Sequence, residues 1–166
     1  MKKLLLMLIS FVPLSAFASF GIGASVHNWG DVDSGYGDLD FTLTTINATY
    51  ETRNDNLGLQ VKVGLGVGDD SDDDEDGDRY DVEINHMVQL KGMYFFNDNF
   101  YGALSYTNFD IDGYIEYNNT NTSDSENDIG FAFGYRTDGL EFYLGRPFDD
   151  GDSGTNIEFG FSYFFE

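Results

Sequence analysis

Between residues 57 and 67 every odd position is aliphatic (Leu57, Leu59, Val61, Val63, Leu65, Val67) and every even position is Gly, Gln or Lys. A β-strand points successive side chains to opposite faces, so a period of two makes one apolar face and one small or polar face. The chain ends the same way. Ile157, Phe159, Phe161, Tyr163 and Phe165 alternate with Glu158, Gly160, Ser162 and Phe164. Eight segments of this kind can be drawn, at 20–29, 39–51, 57–67, 79–96, 100–109, 128–137, 140–148 and 156–165. Helices have no place in such a pattern, and the fold class is all-β.

The linkers alternate in length. After the second, fourth and sixth segments they are short, at 52–56, 97–99 and 138–139. After the first, third, fifth and seventh they are long and acidic, at 30–38, 68–78, 110–127 and 149–155. A strand that crosses a bilayer needs about 9–11 residues, which each segment can supply. Short turns at one end and long loops at the other are the layout of an antiparallel transmembrane β-barrel. Asp138-Gly139 is a two-residue hairpin signal, because both central positions of such a turn need positive φ. It sets Arg136 opposite Glu141, Tyr135 opposite Phe142 and Phe133 opposite Leu144, so face and register agree. In the second segment the apolar phase slips between Leu43 and Ile46, which predicts a bulge near Thr44-Thr45. Pro147 ends or distorts the seventh strand, since it cannot donate to a ladder.

Which way the apolar face points decides between a soluble and a membrane barrel. An eight-stranded interior is just wide enough to be filled by side chains. The bulky face is too large for it, whereas Gly58, Gly64, Gly66, Gly130, Gly134, Gly145 and Gly160 with a few long polar groups would fit. The bulky face therefore looks into lipid. This partition also explains a composition of 30 Asp+Glu against 8 Lys+Arg alongside 16 Phe and 11 Tyr. A formal charge of −22 argues against nucleic acid, because binding a phosphate backbone needs a basic surface. With no cysteine there are no disulfides, thiolate metal sites or thiol nucleophiles.

The first residues read as an export segment. Lys2-Lys3 precede the apolar stretch Leu4 to Leu14, and Ala16-Phe17-Ala18 forms an A-x-A cleavage site. Removal of residues 1–18 leaves a barrel domain of 19–166 and moves the formal charge to −24, because only lysines leave. Both ends of that domain are expected in the periplasm.

Strand count, loop asymmetry and the C-terminal strand together make the chain resemble the small outer-membrane β-barrels of the OmpA transmembrane-domain and OmpX type. The resemblance implies a single eight-stranded antiparallel up-and-down barrel in a Gram-negative outer membrane. It also implies that Ile157, Phe159, Phe161, Tyr163 and Phe165 form the signal read by the barrel-assembly machinery. Lipid and lipopolysaccharide are then its surroundings and a monomer its expected state. Met93 to Gly102 looks like a periplasmic hairpin of that family, with interfacial aromatics. Fold does not fix function, since such barrels include anchors, adhesins and enzymes.

Three sets of residues could carry chemistry. By parity Gln60, Lys62, Lys91, Arg136, Glu141 and Glu158 face the lumen, where charges must pair. They form either a static polar plug or the gate of a narrow ion path. The loop 68–78 matches the spacing of a calcium loop at Asp72, Asp74, Asp76, Asp78 and Glu83. Such spacing arises readily in an acidic run, and its flanks are strands where a calcium hand needs helices. A solvated loop is the plainer reading, with a weak Ca²⁺ or Mg²⁺ site beside it. Asp31, Asp33, Asp110, Asp112, Asp149, Asp150 and Asp152 extend the theme, so divalent ions bridging the loops to each other or to lipopolysaccharide are an expectation. Finally, His27 is followed by Asn28-Trp29 and His86 by Met87-Val88, so the H-x-S motif of barrel deacylases is missing. The chain reads as a non-enzymatic structural or surface-interaction protein. A small channel, or an adhesin acting through 110–127, is the alternative.

Overall fold

The structure is a computed structural model that describes residues 17–33, 38–116, 119–148 and 155–165. Residues 1–16 of the expected export segment, with Asp149, Asp150 and Asp152, lie outside these. Nine strands follow in chain order: β1 Phe17–Asp33, β2 Asp38–Asn54, β3 Leu57–Gly66, β4 Asp69–Asp73, β5 Arg79–Phe95, β6 Phe100–Ile115, β7 Thr120–Thr137, β8 Leu140–Pro147 and β9 Thr155–Phe165.

Every pairing is antiparallel. The sheet runs β3-β2-β1-β9-β8-β7-β6-β5-β4, and β3 also pairs with β5. That last pairing closes the sheet along the length of β3. β3 and β4 are successive parts of one stave. Both pair with β5, from Leu57↔Tyr94 to Leu65↔His86 and from Asp69↔Glu83 to Asp73↔Arg79. The register steps by one residue between them, at Val67 and Gly68, where Gly68 takes φ +81°. Eight staves result. At Asp138-Gly139 both φ values are positive, 46° and 79°, as the tight hairpin requires. Arg136 lies opposite Glu141 and Phe133 opposite Leu144, in the expected register.

Two expectations are corrected. No bulge occurs at Thr44-Thr45, because β1 stays in register through both residues and β3 pairs with β2 without a shift up to Thr45↔Gly66. Instead the lining of the barrel changes there. Leu39, Phe41 and Leu43 face inward and are buried, and so, further down, are Thr45, Asn47, Thr49 and Glu51. The bulges fall between Trp29 and Val32 in β1 and between Ile84 and His86 in β5. The second correction concerns the long linkers. Most of 110–127 is strand, since β6 and β7 stay paired out to Ile115↔Thr120. Within 68–78, Asp69–Asp73 pairs with β5 and only 74–78 turns.

The exterior divides into two zones. Nearest the short turns it is apolar, with Tyr94, Phe100, Leu104, Phe133, Phe142 and Phe159 among the exposed side chains. On β9 this belt extends from residue 157 to 165, nine residues, which is about one bilayer crossing for a tilted strand. Towards the long loops the outward positions become Asp40, Thr42, Asp81, Glu83, Asn108, Asp112 and Ser123. β7 continues past Ile129 for roughly 30 Å of extended chain, at about 3.3 Å per residue. β8 ends at Pro147, opposite Gly130. The wall is therefore uneven, with β4 to β7 raised as a sheet and β8 low.

Candidate functional site: the lumen and the raised sheet

All six residues assigned to the lumen by parity are inside. They form two connected networks. Near the turn end, Arg136 is held by Glu51 through both terminal guanidinium nitrogens, Nη1 and Nη2, with Nη2 donating to Oε2 at 2.5 Å. The same Nη2 donates to Glu141 at 3.2 Å. Gln60 Nε2 donates to Glu51 and Glu141, each at 3.2 Å, and Tyr101 Oη donates to Glu141 at 2.8 Å. The expected Arg136–Glu141 pair exists, but the bidentate partner is Glu51. A planar fork matching a carboxylate is the strongest such arrangement.

Midway along the axis the second network converges on Tyr143. Its hydroxyl donates to Glu158 and accepts from Lys62. Ser25 supplies the remaining contact at 2.8 Å and itself accepts from Asn47 at 2.7 Å. A phenol has one proton and two lone pairs, so this hydroxyl is fully used. Lys91 Nζ lies over the Tyr143 ring, 3.0 Å from its centre. Gln89 joins Glu158 at 2.8 Å to Thr107 at 3.0 Å. Three cations, Lys62, Lys91 and Arg136, thus stand among three carboxylates, Glu51, Glu141 and Glu158.

Apolar layers cap both networks. At the loop end Trp29, Leu39, Phe41, Leu43, Ile84, Met87 and Phe109 form a buried cluster. At the turn end Met93, Phe95 and Tyr101 belong to a second, which reaches up the axis to Tyr143, with Arg53 stacked 3.7 Å over Phe95 and Arg136 4.0 Å over Phe164. The interior is more aromatic than the expected mixture of glycines and polar groups. Glycine does make room for it. A Cβ at Gly134 would overlap the Tyr101 ring, and one at Gly160 the Tyr143 ring. These glycines sit directly across from those tyrosines in the ladder.

Sequence reasoning missed Glu51, Tyr101, Tyr143 and Gln89. Glu51 shares parity with Asn47 and Thr49, a signal masked by the expected bulge. The tyrosines were hidden among lipid-facing aromatics, and the Gly opposite each Tyr was the available clue.

Outside, the raised sheet carries a row of acids. Asp69 lies opposite Glu83, Glu83 opposite Asp112, and Asp112 opposite Ser123. One step up the row is Ser71, Asp81, Tyr114 and Asn121. All of these except Ser71 line a concave surface of about 650 Å³. Like charges directly opposite repel. Hydrogen bonds from Asn85 and Ser123 hold the Asp112 carboxyl below the usual carboxylate range.

The proposed calcium set is not brought together. Asp72 Oδ2 accepts from the Asp40 amide at 2.8 Å, and Asp74 Oδ1 from the Asp76 and Asp78 amides at 3.0 Å. Glu83 sits across from Asp69 on the outer face, away from the turn. Among the described residues no three His, Asp or Glu side chains converge as metal ligands. Partial loss of water, then the charges of Asp74, Asp76 and Glu116, push the Asp78 carboxyl upward. In the C-terminal strand Phe159, Phe161, Tyr163 and Phe165 face outward as expected, each at least 40% exposed, and Ile157 shares their face.

An eight-staved barrel with an apolar belt, a polar interior and a raised polar sheet is the fold of the small outer-membrane β-barrels. No family model matches the chain, and no curated protein matches it significantly. Among solved structures it is similar to Ail, the attachment invasion locus protein of Yersinia pestis. The TM-score is 0.56 at 13% identity, over 92% of this chain and 100% of that one. Ail in complex with the heparin analogue sucrose octasulfate gives 0.55 at 15% identity, over 89% and 97%. A further match is Neisserial surface protein A, with TM-score 0.47 and 9% identity over 89% of this chain and 97% of that one.

Proposed function

We propose that this protein is an integral outer-membrane barrel of a Gram-negative envelope, exported by a cleavable segment ending at Ala18, whose raised sheet is a docking face for cationic partners. The observation that carries this reading is the row Asp69, Glu83 and Asp112, three carboxylates abreast on the outer face of a rigid sheet. A face under such repulsion gains from any cation that settles on it. The heparin analogue bound by Ail is a polyanion. The acidic sheet here would repel such a ligand, so a partner is inferred from charge and not borrowed from Ail. Divalent cations, including those that bridge lipopolysaccharide phosphates, are the smallest members of the same partner class. The lumen is a plug in this reading, and the protein has no catalytic role.

The test is binding of folded, detergent-solubilised protein to immobilised polylysine. Retention should be salt-sensitive and should fall at least tenfold in a Glu83→Gln/Asp112→Asn variant. Equal retention of the variant would remove this face as the docking surface, and no retention of the native protein in low salt would end the reading.

A further inference from the structure

His27 is fully buried at the level where the apolar loop-end cluster meets the polar lumen, its ring edge-on to Phe109 at 5.0 Å. Among the described residues neither of its ring nitrogens has a hydrogen-bond partner. A neutral imidazole carries one N–H donor and one acceptor nitrogen, and burying either unpaired is unfavourable. Close by, Asn156 is also buried. Its Nδ2 donates to Asp128 Oδ2 at 2.9 Å, which fixes the carboxamide orientation and leaves Oδ1 as an acceptor without a donor. His27 and Asn156 line one small cavity of about 20 Å³, with Ser105, Thr107, Asp128, Arg146 and Glu158 completing its polar wall. Two buried polar side chains with unmet bonding capacity thus open onto the same space.

Size and chemistry specify the occupant. The cavity of about 20 Å³ exceeds the volume one water needs. The occupant must donate to Asn156 Oδ1 and bond an imidazole nitrogen, and water does both while keeping capacity for Ser105. An apolar guest would satisfy neither. The cavity also borders Gly130, Gly145 and Pro147, at the place where β8 stops short of its neighbours. Pro147 has no N–H to offer β9, and the β8–β9 ladder ends at Gly145↔Glu158. We propose that the cavity between His27 and Asn156 is a binding site for a single water molecule, which joins the two side chains. The site is independent of the raised acidic face and of any partner docked on it.

Water-to-protein cross-relaxation in NMR of the refolded protein tests the site directly. Cross-peaks from a long-lived water to the His27 ring and the Asn156 side-chain amide are expected, and the one to His27 should vanish in Asn156→Leu. Their absence from the native protein would overturn the proposal. A double-variant cycle gives a second readout. His27→Phe and Asn156→Leu should each raise the urea unfolding constant about tenfold, because each strands the other's polar atom. The pair together should raise it by much less than a hundredfold, since the first substitution has already lost the water. Full multiplicativity of the two effects would show that they share no ligand and would equally end the idea.

Discussion

Arg136 shows how much an interior position depends on its whole surroundings. Its guanidinium faces Glu51 across the lumen, eighty-five residues away in sequence, and Glu141 across the hairpin. Removing one member of a buried pair leaves an uncompensated charge and costs about 3–5 kcal/mol. Glu51→Ala should therefore shift the urea midpoint of the folded barrel sharply downward, followed by the gel mobility of unheated samples. Glu51→Gln combined with Arg136→Met, which removes both charges, should recover most of that loss. Parity alone found six lumen side chains, because alternation is a local property. Glu51 and Tyr143 were not legible in the same way, since a glutamate and a tyrosine are equally at home on either face. What selects their side is the partner opposite: Arg136 for one, Gly160 and the lysines for the other.

Single elements obey two rules along their length. The lower part of β2 turns Ile46 and Tyr50 outward and Asn47, Thr49 and Glu51 inward, while its upper part turns Asp40 and Thr42 outward and Leu39, Phe41 and Leu43 inward. The strand keeps one parity while its solvent changes from lipid to water, so the apolar side changes face without any bulge. β4 adds a second device. Beyond Val67, whose amide donates to Thr44 O at 2.8 Å, β2 loses that neighbour, and the Thr42 and Asp40 amides are taken up by Asp70 Oδ2 at 2.6 Å and Asp72 Oδ2 at 2.8 Å. Two acids of the loop thereby substitute for backbone carbonyls along the seam between β2 and β4. Hydrogen bonds to charged acceptors are worth about 1.5–3 kcal/mol each, or roughly tenfold or more in local opening. In Asp70→Ala/Asp72→Ala the Thr42 and Asp40 amides should exchange with deuterium at least about tenfold faster, with amides of β9 unaffected. Unchanged exchange at Thr42 would mean that the seam is closed by other means.

At the scale of the molecule, the lumen is filled by balanced charges between two apolar layers. Water and ions passing along the axis would have to displace both the Trp29–Phe109 cluster, with ring centres 5.4 Å apart, and the Phe95–Tyr101 contact at 5.3 Å. Protein reconstituted into planar bilayers should accordingly show no sustained conductance steps. Steady steps that alter in Arg136→Ala would make the lumen a pathway and the network its gate. The same architecture explains a chain that is both acidic and aromatic. The aromatics lie mainly in the belt and the caps, and the acids are concentrated on the raised sheet and its turns.

The eight membrane-level strands, the stave count, the Asp138-Gly139 register and the side occupied by the lumen charges were determined by sequence alone, because alternation and turn chemistry are set by neighbouring residues. The interior apolar caps, the Glu51–Arg136 fork, the height of the β6–β7 hairpin and the carboxylate seam were decided only by the closed barrel. Each depends on residues brought together across staves. It also depends on the height at which the exterior passes from lipid to water, and no local pattern records that height.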